Sequence, residues 1–85
     1  MRATVINKSD DKGWLVVRTD YLSFMLISLS SPAAGHGTRD IEVGDILSSD
    51  FLPESMICNH TRASLVRMRE VLEHTDAPEP LYAYL

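Results

Sequence analysis

Short apolar runs alternate with clusters of turn-forming residues over the first sixty positions of the chain. Thr4-Val5-Ile6-Asn7-Lys8 is a β-branched run, and Ser9-Asp10-Asp11-Lys12-Gly13 behind it is turn chemistry, with Gly13 free to take a positive φ. Trp14-Leu15-Val16-Val17-Arg18-Thr19 resumes as a second strand, so the two runs predict a hairpin. Period-two alternation places Trp14, Val16 and Arg18 on one face of that strand and Leu15, Val17 and Thr19 on the other. After a turn at Thr19-Asp20-Tyr21, Leu22-Ser23-Phe24-Met25-Leu26-Ile27-Ser28-Leu29 is apolar on both faces, the pattern of a strand central to its sheet. Ile41 and Val43 alternate with charges, Gly44-Asp45 supplies a turn, and Ile46-Leu47 restarts the apolar pattern. Ser55-Met56-Ile57-Cys58-Asn59, after Pro53, is one more short strand.

Five short strands with turn signals between them predict a mainly β domain. The expected architecture is a small five- or six-stranded barrel, OB-like or SH3-like, because closure removes exposed edges. The segment 62–74 is either a final strand or a helix. As a helix, Leu65, Met68 and Leu72 fall at i, i+3 and i+7, with Val71 beside them and Thr61 as N-cap. As a strand, Val66, Met68 and Leu72 face inward, interrupted by Glu70. The pattern taken alone favours the helix. Asp76-Ala77-Pro78-Glu79-Pro80 ends the segment in either reading, so the barrel domain is expected over 1–76 and a C-terminal tail over 77–85. That tail, Leu81-Tyr82-Ala83-Tyr84-Leu85, is apolar and must dock on the body or meet another chain. The stretch 30–39, with Gly35-His36-Gly37 at its middle, reads as a flexible surface loop of about ten residues.

Length and composition narrow the class. Eighty-five residues, 45% of them hydrophobic, suffice for one core. The lone Cys58 cannot close an intrachain disulfide, and no Cys/His spacing matches a structural zinc site, which points to a reducing compartment. The N-terminus turns polar before a signal-peptide core can form. The longest apolar stretch, from Phe24 to Leu29, is far short of the ~20 residues that span a bilayer, so a cytoplasmic, membrane-free protein is expected. Twelve acidic side chains against eight basic ones leave a net charge of −4. That balance disfavours nucleic acid as a partner and favours protein.

Two resemblances follow from these motifs. Lys12-Gly13-Trp14-Leu15-Val16-Val17 resembles the Lys-Gly-aromatic strand of cold-shock domains, and Ile41-Glu42-Val43-Gly44-Asp45-Ile46-Leu47 is similar to the Val-Gly-Asp turn of OB-type barrels. The cold-shock resemblance implies stacking of single-stranded bases on strand aromatics. Of those aromatics only Trp14 and Phe24 are present, so the likeness is one of barrel shape rather than of chemistry. Gly13 to Thr19, Ile41 to Leu47 and Asn59-His60-Thr61 together resemble a group of small uncharacterised bacterial β-barrel proteins, over about residues 4 to 72. In that group an Asn-x-Thr turn leads into a last barrel strand, which would make 65–71 a strand. The resemblance brings helix and strand to even footing and implies a fold without an activity.

Candidate chemistry is sparse. Cys58 and His60 stand at i and i+2, so on a strand thiol and imidazole would share a face. A small buried hydrophobe is the simpler reading of Cys58, and no catalytic residue is assigned. His36, His60 and His74 with Asp40 or Asp45 match no compact ligand spacing, and Gly35-His36-Gly37 lacks the context of a phosphate loop; no metal site and no cofactor are expected. Trp14 with Lys12, Arg18 and Phe24 is the best candidate for a ligand-facing platform, but the favoured reading of Trp14 is that it fills the barrel core, where a barrel this small needs one large residue. Arg62, Arg67 and Arg69 either extend a binding face or form the solvated side of the last element. The expected function is a non-catalytic interaction module that engages another protein, or itself through an edge strand or through Leu81, Tyr82, Tyr84 and Leu85. Single-stranded nucleic-acid binding by Lys12, Trp14, Arg18 and Phe24 is the alternative.

Overall fold

In the computed structural model, which describes residues 1–30 and 37–85, the alternating runs roll into a closed antiparallel barrel. Its strands are β1 (Arg2–Ser9), β2 (Trp14–Thr19), β3 (Phe24–Leu29), β4 (Ile46–Ser48), β5 (Met56–Asn59) and β6 (Ser64–Thr75). They lie in the order β1-β2-β3-β6-β5-β4, and three residue pairs between β4 and β1 close the ring. A 3-10 turn at Gly37–Asp40 and a single helical turn, α1 at Glu79–Tyr82, complete the described elements. Of the flexible loop expected over 30–39, residues 31–36 lie outside the described residues, whereas the rest of its C-terminal end is ordered in the 3-10 turn, with Thr38 buried. No helix among the described residues is long and apolar enough to cross a membrane.

Local chemistry accounts for the first hairpins. Gly13 sits at φ 72°, where a Cβ would be strained, and its N–H closes the β1–β2 turn on the Ser9 carbonyl at 2.9 Å. In the β2–β3 turn the Thr19 hydroxyl lies 2.7 Å from the Ser23 hydroxyl and accepts the N–H groups of Tyr21 and Ser23. The β1–β2 register shifts between Val5, opposite Val17, and Asn7, opposite Val16. That bulge bends β1, as barrel curvature requires.

The segment with two readings is a strand. β6 pairs with β5 from Ser64 to Arg67 and with β3 from Met68 to Thr75, so one twelve-residue element bridges both halves of the barrel. A helix there would leave the facing backbone groups of β3 and β5 without partners, a cost that residue-level helix preference cannot offset. The helical spacing of Leu65, Met68 and Leu72 does not describe one buried stripe. Leu65 points out to solvent, Met68 is buried in the barrel, and Leu72 packs on the outer wall.

Two apolar clusters result. Inside the barrel, Val5, Leu15, Val17, Ile27, Leu47, Ile57 and Met68 are fully buried. Outside it, Val16, Leu26 and Leu81 are equally buried, with Ile6, Trp14, Phe24, Leu72 and Leu85 packed around them. The tail therefore docks on the outer wall of β1, β2, β3 and β6. The two-sided apolarity of β3 has its explanation here: one face fills the barrel and the other meets the tail. Burying side chains of this size contributes roughly 1.5–3 kcal/mol each before chain entropy is subtracted. Pro80 is tolerated in the first turn of α1, where its missing N–H has no helical partner to lose, and this turn aims Leu81 at the wall.

Candidate functional site

Trp14 belongs neither to the barrel core nor to an open platform. Outward on β2, it stands in register with Ser28 of β3 and packs into the outer cluster beneath the tail. The Lys12 ammonium lies 4.9 Å from the centroid of its ring and donates a hydrogen bond to the Tyr84 carbonyl. One lysine thus caps the indole and ties down the tail end. Phe24 is half-buried in the same cluster, and Arg18, paired with it across β2 and β3, is exposed. The four side chains do share one wall, as alternation predicts, but Trp14 and Phe24 are committed to packing.

Leu81 is spent inside its own chain. Leu85 is half-buried beside it, whereas Tyr82 and Tyr84 stay 39% and 43% exposed. The Tyr84 hydroxyl donates to a Glu73 carboxylate oxygen at 3.3 Å, a further tie to β6.

The Gly44-Asp45 and Asn59-His60-Thr61 motifs meet each other. Gly44, at φ 98°, places its N–H on the Val5 carbonyl and brings Asp45 into the barrel end, where it is buried. One carboxylate oxygen of Asp45 accepts from the Glu42 N–H at 3.0 Å, the Asn59 side-chain amide at 2.9 Å and the Arg62 Nε at 2.7 Å. Burial opposes the charged form of Asp45, but these three donors outweigh it and hold its pKa below the ordinary carboxylate value. Asn59 also accepts the N–H groups of Thr61 and Arg62, and the Thr61 hydroxyl accepts the Ile46 N–H. The two motifs are therefore a polar clamp that locks the β5–β6 turn onto the turn before β4. Arg62 is consumed by it. A second cluster holds the loop end: exposed Asp10 accepts from the hydroxyl of buried Thr38 at 2.8 Å and pairs with Lys8 at 3.2 Å, which lowers its pKa in that order of importance.

The opposite outer wall, β4 with β5 and the facing stretches of β1 and β6, carries no tail. Across it the register aligns Arg2, Ser48, Cys58 and Leu65 in one row, with Met56 facing Arg67 in the next. Leu65 is 66% exposed, Met56 44% and Ile46 41%. Cys58 is half-buried on this outer face rather than in the core. As their spacing predicts, Cys58 and His60 meet: Sγ lies 3.9 Å from His60 Nδ1. Ser48 Oγ lies 2.7 Å from Nε2 on the other side of the ring, a contact no sequence motif announces. His74 is elsewhere, 2.9 Å from the Ser23 hydroxyl, and His36 lies outside the described residues. Among the described residues, no three His, Cys, Asp or Glu side chains gather as a metal-ligating group.

Comparison of the chain with protein-family models, with curated proteins and with solved structures finds no match.

Proposed function

We propose that this protein is a non-catalytic interaction module whose bare β4–β5 wall docks a protein partner carrying both apolar and acidic side chains. The observation behind this reading is the exposure of Leu65, Met56 and Ile46 on one wall, while comparable apolar groups on the other wall are covered by the chain itself. Isolated exposed apolar residues are ordinary, but a shared wall of them is a feature of interaction surfaces. Arg2, Arg67 and Arg69 are exposed around this wall and make no ion pair among the described residues. Arg67 Nη1 donates to the Glu54 carbonyl at 2.9 Å, but among the described residues none of the three charges is neutralised by a carboxylate, which favours a partner that supplies one. Among the described residues the wall holds no aromatic side chain on which a base could stack, and the net charge of −4 opposes a polyanion. Closure of the barrel also favours use of a face over strand addition at an edge.

Site-specific photo-crosslinking in cells tests this. A crosslinker at position 65 should yield a discrete protein adduct that a crosslinker at Asp11 does not. Arg67→Glu should remove the adduct and Arg67→Lys should keep it. Adducts with nucleic acid, adducts at twice the chain mass, or equal labelling from both positions would each refute the proposal.

A further inference from the structure

We propose that Cys58, His60 and Met56 form a binding site for a soft monovalent d10 metal ion, Cu(I), on the outer face of β5. The site shares Met56 with the proposed docking wall, but its test uses the isolated chain and no protein partner.

The inference begins with strand periodicity. Met56 and Cys58 stand at i and i+2 of β5 and so share the outer face. His60 follows in the turn and returns its imidazole to the same side, with Nδ1 3.9 Å from the Cys58 sulfur. That separation is informative. For metal arms of about 2.3 Å to sulfur and 2.0 Å to nitrogen, two ligands of one ion stand about 3.5 Å apart at a tetrahedral angle, about 3.7 Å at a trigonal one and about 4.3 Å when opposed. The Cys58–His60 pair lies between trigonal and opposed, the range of low-coordinate d10 ions, without any rearrangement of the strand.

The ring orientation fits as well. Ser48 Oγ is 2.7 Å from Nε2 and engages the nitrogen that faces away from the thiol. When His60 donates its Nε2–H to Ser48 Oγ, Nδ1 carries the lone pair directed towards Cys58, the same kind of hydrogen bond that holds metal-binding histidines in one tautomer. Ser48 faces Cys58 in the β4–β5 register, so the barrel itself sets this geometry.

Ligand chemistry selects the ion. A hard or four-coordinate ion lacks a cage here, because no third His, Cys, Asp or Glu joins the pair among the described residues. The neighbour that shares the face is a thioether on a flexible, unbranched side chain, whose first two torsions set where its sulfur lies. Thiolate, thioether and imidazole are together the donor set of Cu(I). Leu65 faces Cys58 in the β5–β6 register and the Ile46 carbonyl accepts the His60 N–H at 2.8 Å, so the site lies on an open face that an ion can reach from solvent.

The test is anaerobic Cu(I) titration of the full chain under reducing conditions, in competition with a chromophoric Cu(I) chelator. One ion per chain is expected. Cys58→Ser should abolish competition, and His60→Ala and Met56→Leu should each weaken binding about tenfold or more. Ser48→Ala should weaken it less than His60→Ala. Equal affinity of the parent, H60A and M56L would reduce Cys58 to an ordinary surface thiol and overturn the proposal. Tighter binding of Zn(II) than Cu(I) through the same residues would overturn the choice of ion. If a variant fails to fold, the imidazole nitrogen spectrum of the parent decides alone. One equivalent of Ag(I) should shift His60 Nδ1 and leave His74 in place; an unmoved His60 sinks the idea.

Discussion

The two outer walls of this barrel are built from the same kind of strand and have opposite fates. On the β2–β3 side, Val16, Leu26, Trp14 and Phe24 lie beneath the C-terminal tail, with Leu81 fully buried between wall and helix turn. On the β4–β5 side, Ile46, Met56 and Leu65 project from equivalent outward positions, with no segment over them among the described residues. The first wall behaves as a second core; the second behaves as a surface. The comparison shows that an apolar outward position carries no functional meaning by itself. What matters is whether another element covers it. Here the tail covers one wall, and among the described residues the other stays open.

The largest expected effect tests whether the covered wall is a core. Leu81→Ala should cost roughly 2–4 kcal/mol, the range for a fully buried leucine, and lower Tm by about 10 °C or more. Trp14 fluorescence should shift to the red as the tail loosens over it. A Tm change below about 3 °C would mean that the tail adds little, and the contrast between the walls would fail.

The Asp45 clamp is intermediate in size and lies at the end of the barrel between the walls. Asp45→Ala removes the acceptor for Asn59, Arg62 and the Glu42 N–H and should cost roughly 1.5–3 kcal/mol. Because the native pKa of Asp45 is lowered, its ionised form contributes stability above the unfolded-state pKa. That contribution is lost as pH falls through the native value. Thermal unfolding of the parent should therefore weaken progressively below about pH 5, and Asp45→Asn should flatten much of that slope. Asp10 shifts in the same direction, so a residual slope should remain in the variant. Identical pH profiles for parent and variant would refute the clamp.

The smallest stability effect belongs to the bare wall. Leu65→Glu should change unfolding free energy by less than about 0.5 kcal/mol, since an exposed side chain loses little on substitution. A drop as large as that of Leu81→Ala would show that Leu65 already packs within the chain, and the interaction reading would lose its basis.

The functional candidates divide along the same line. Spacing alone brings Cys58 and His60 to one face, because period two is a property of any strand. Ser48 joins them only through strand pairing ten residues away in sequence, and no local signal encodes that. The Trp14, Lys12, Arg18 and Phe24 grouping was likewise legible as a common wall, but the covering of Trp14 and Phe24 was not. A tail that must dock somewhere leaves its docking place undetermined until the barrel exists.

Local chemistry was enough for the β class, the first hairpin with Gly13 at its turn, the separation of Leu15, Val17 and Thr19 from Trp14, Val16 and Arg18, and the double-sided β3, but not for which face of β2 turns inward. Each depends on residues within a few positions of one another. The identity of β6 depended on contacts far along the chain. Leu65, Met68 and Leu72 satisfy a helical spacing, yet the open hydrogen-bonding groups of β3 and β5 needed a partner, and the closed ring outweighed residue preference. The meeting of Asp45 with Asn59 and Arg62, and the choice of which wall the tail would cover, were settled the same way. Both are decided by non-local burial and hydrogen-bond satisfaction, which exist only once the barrel has closed.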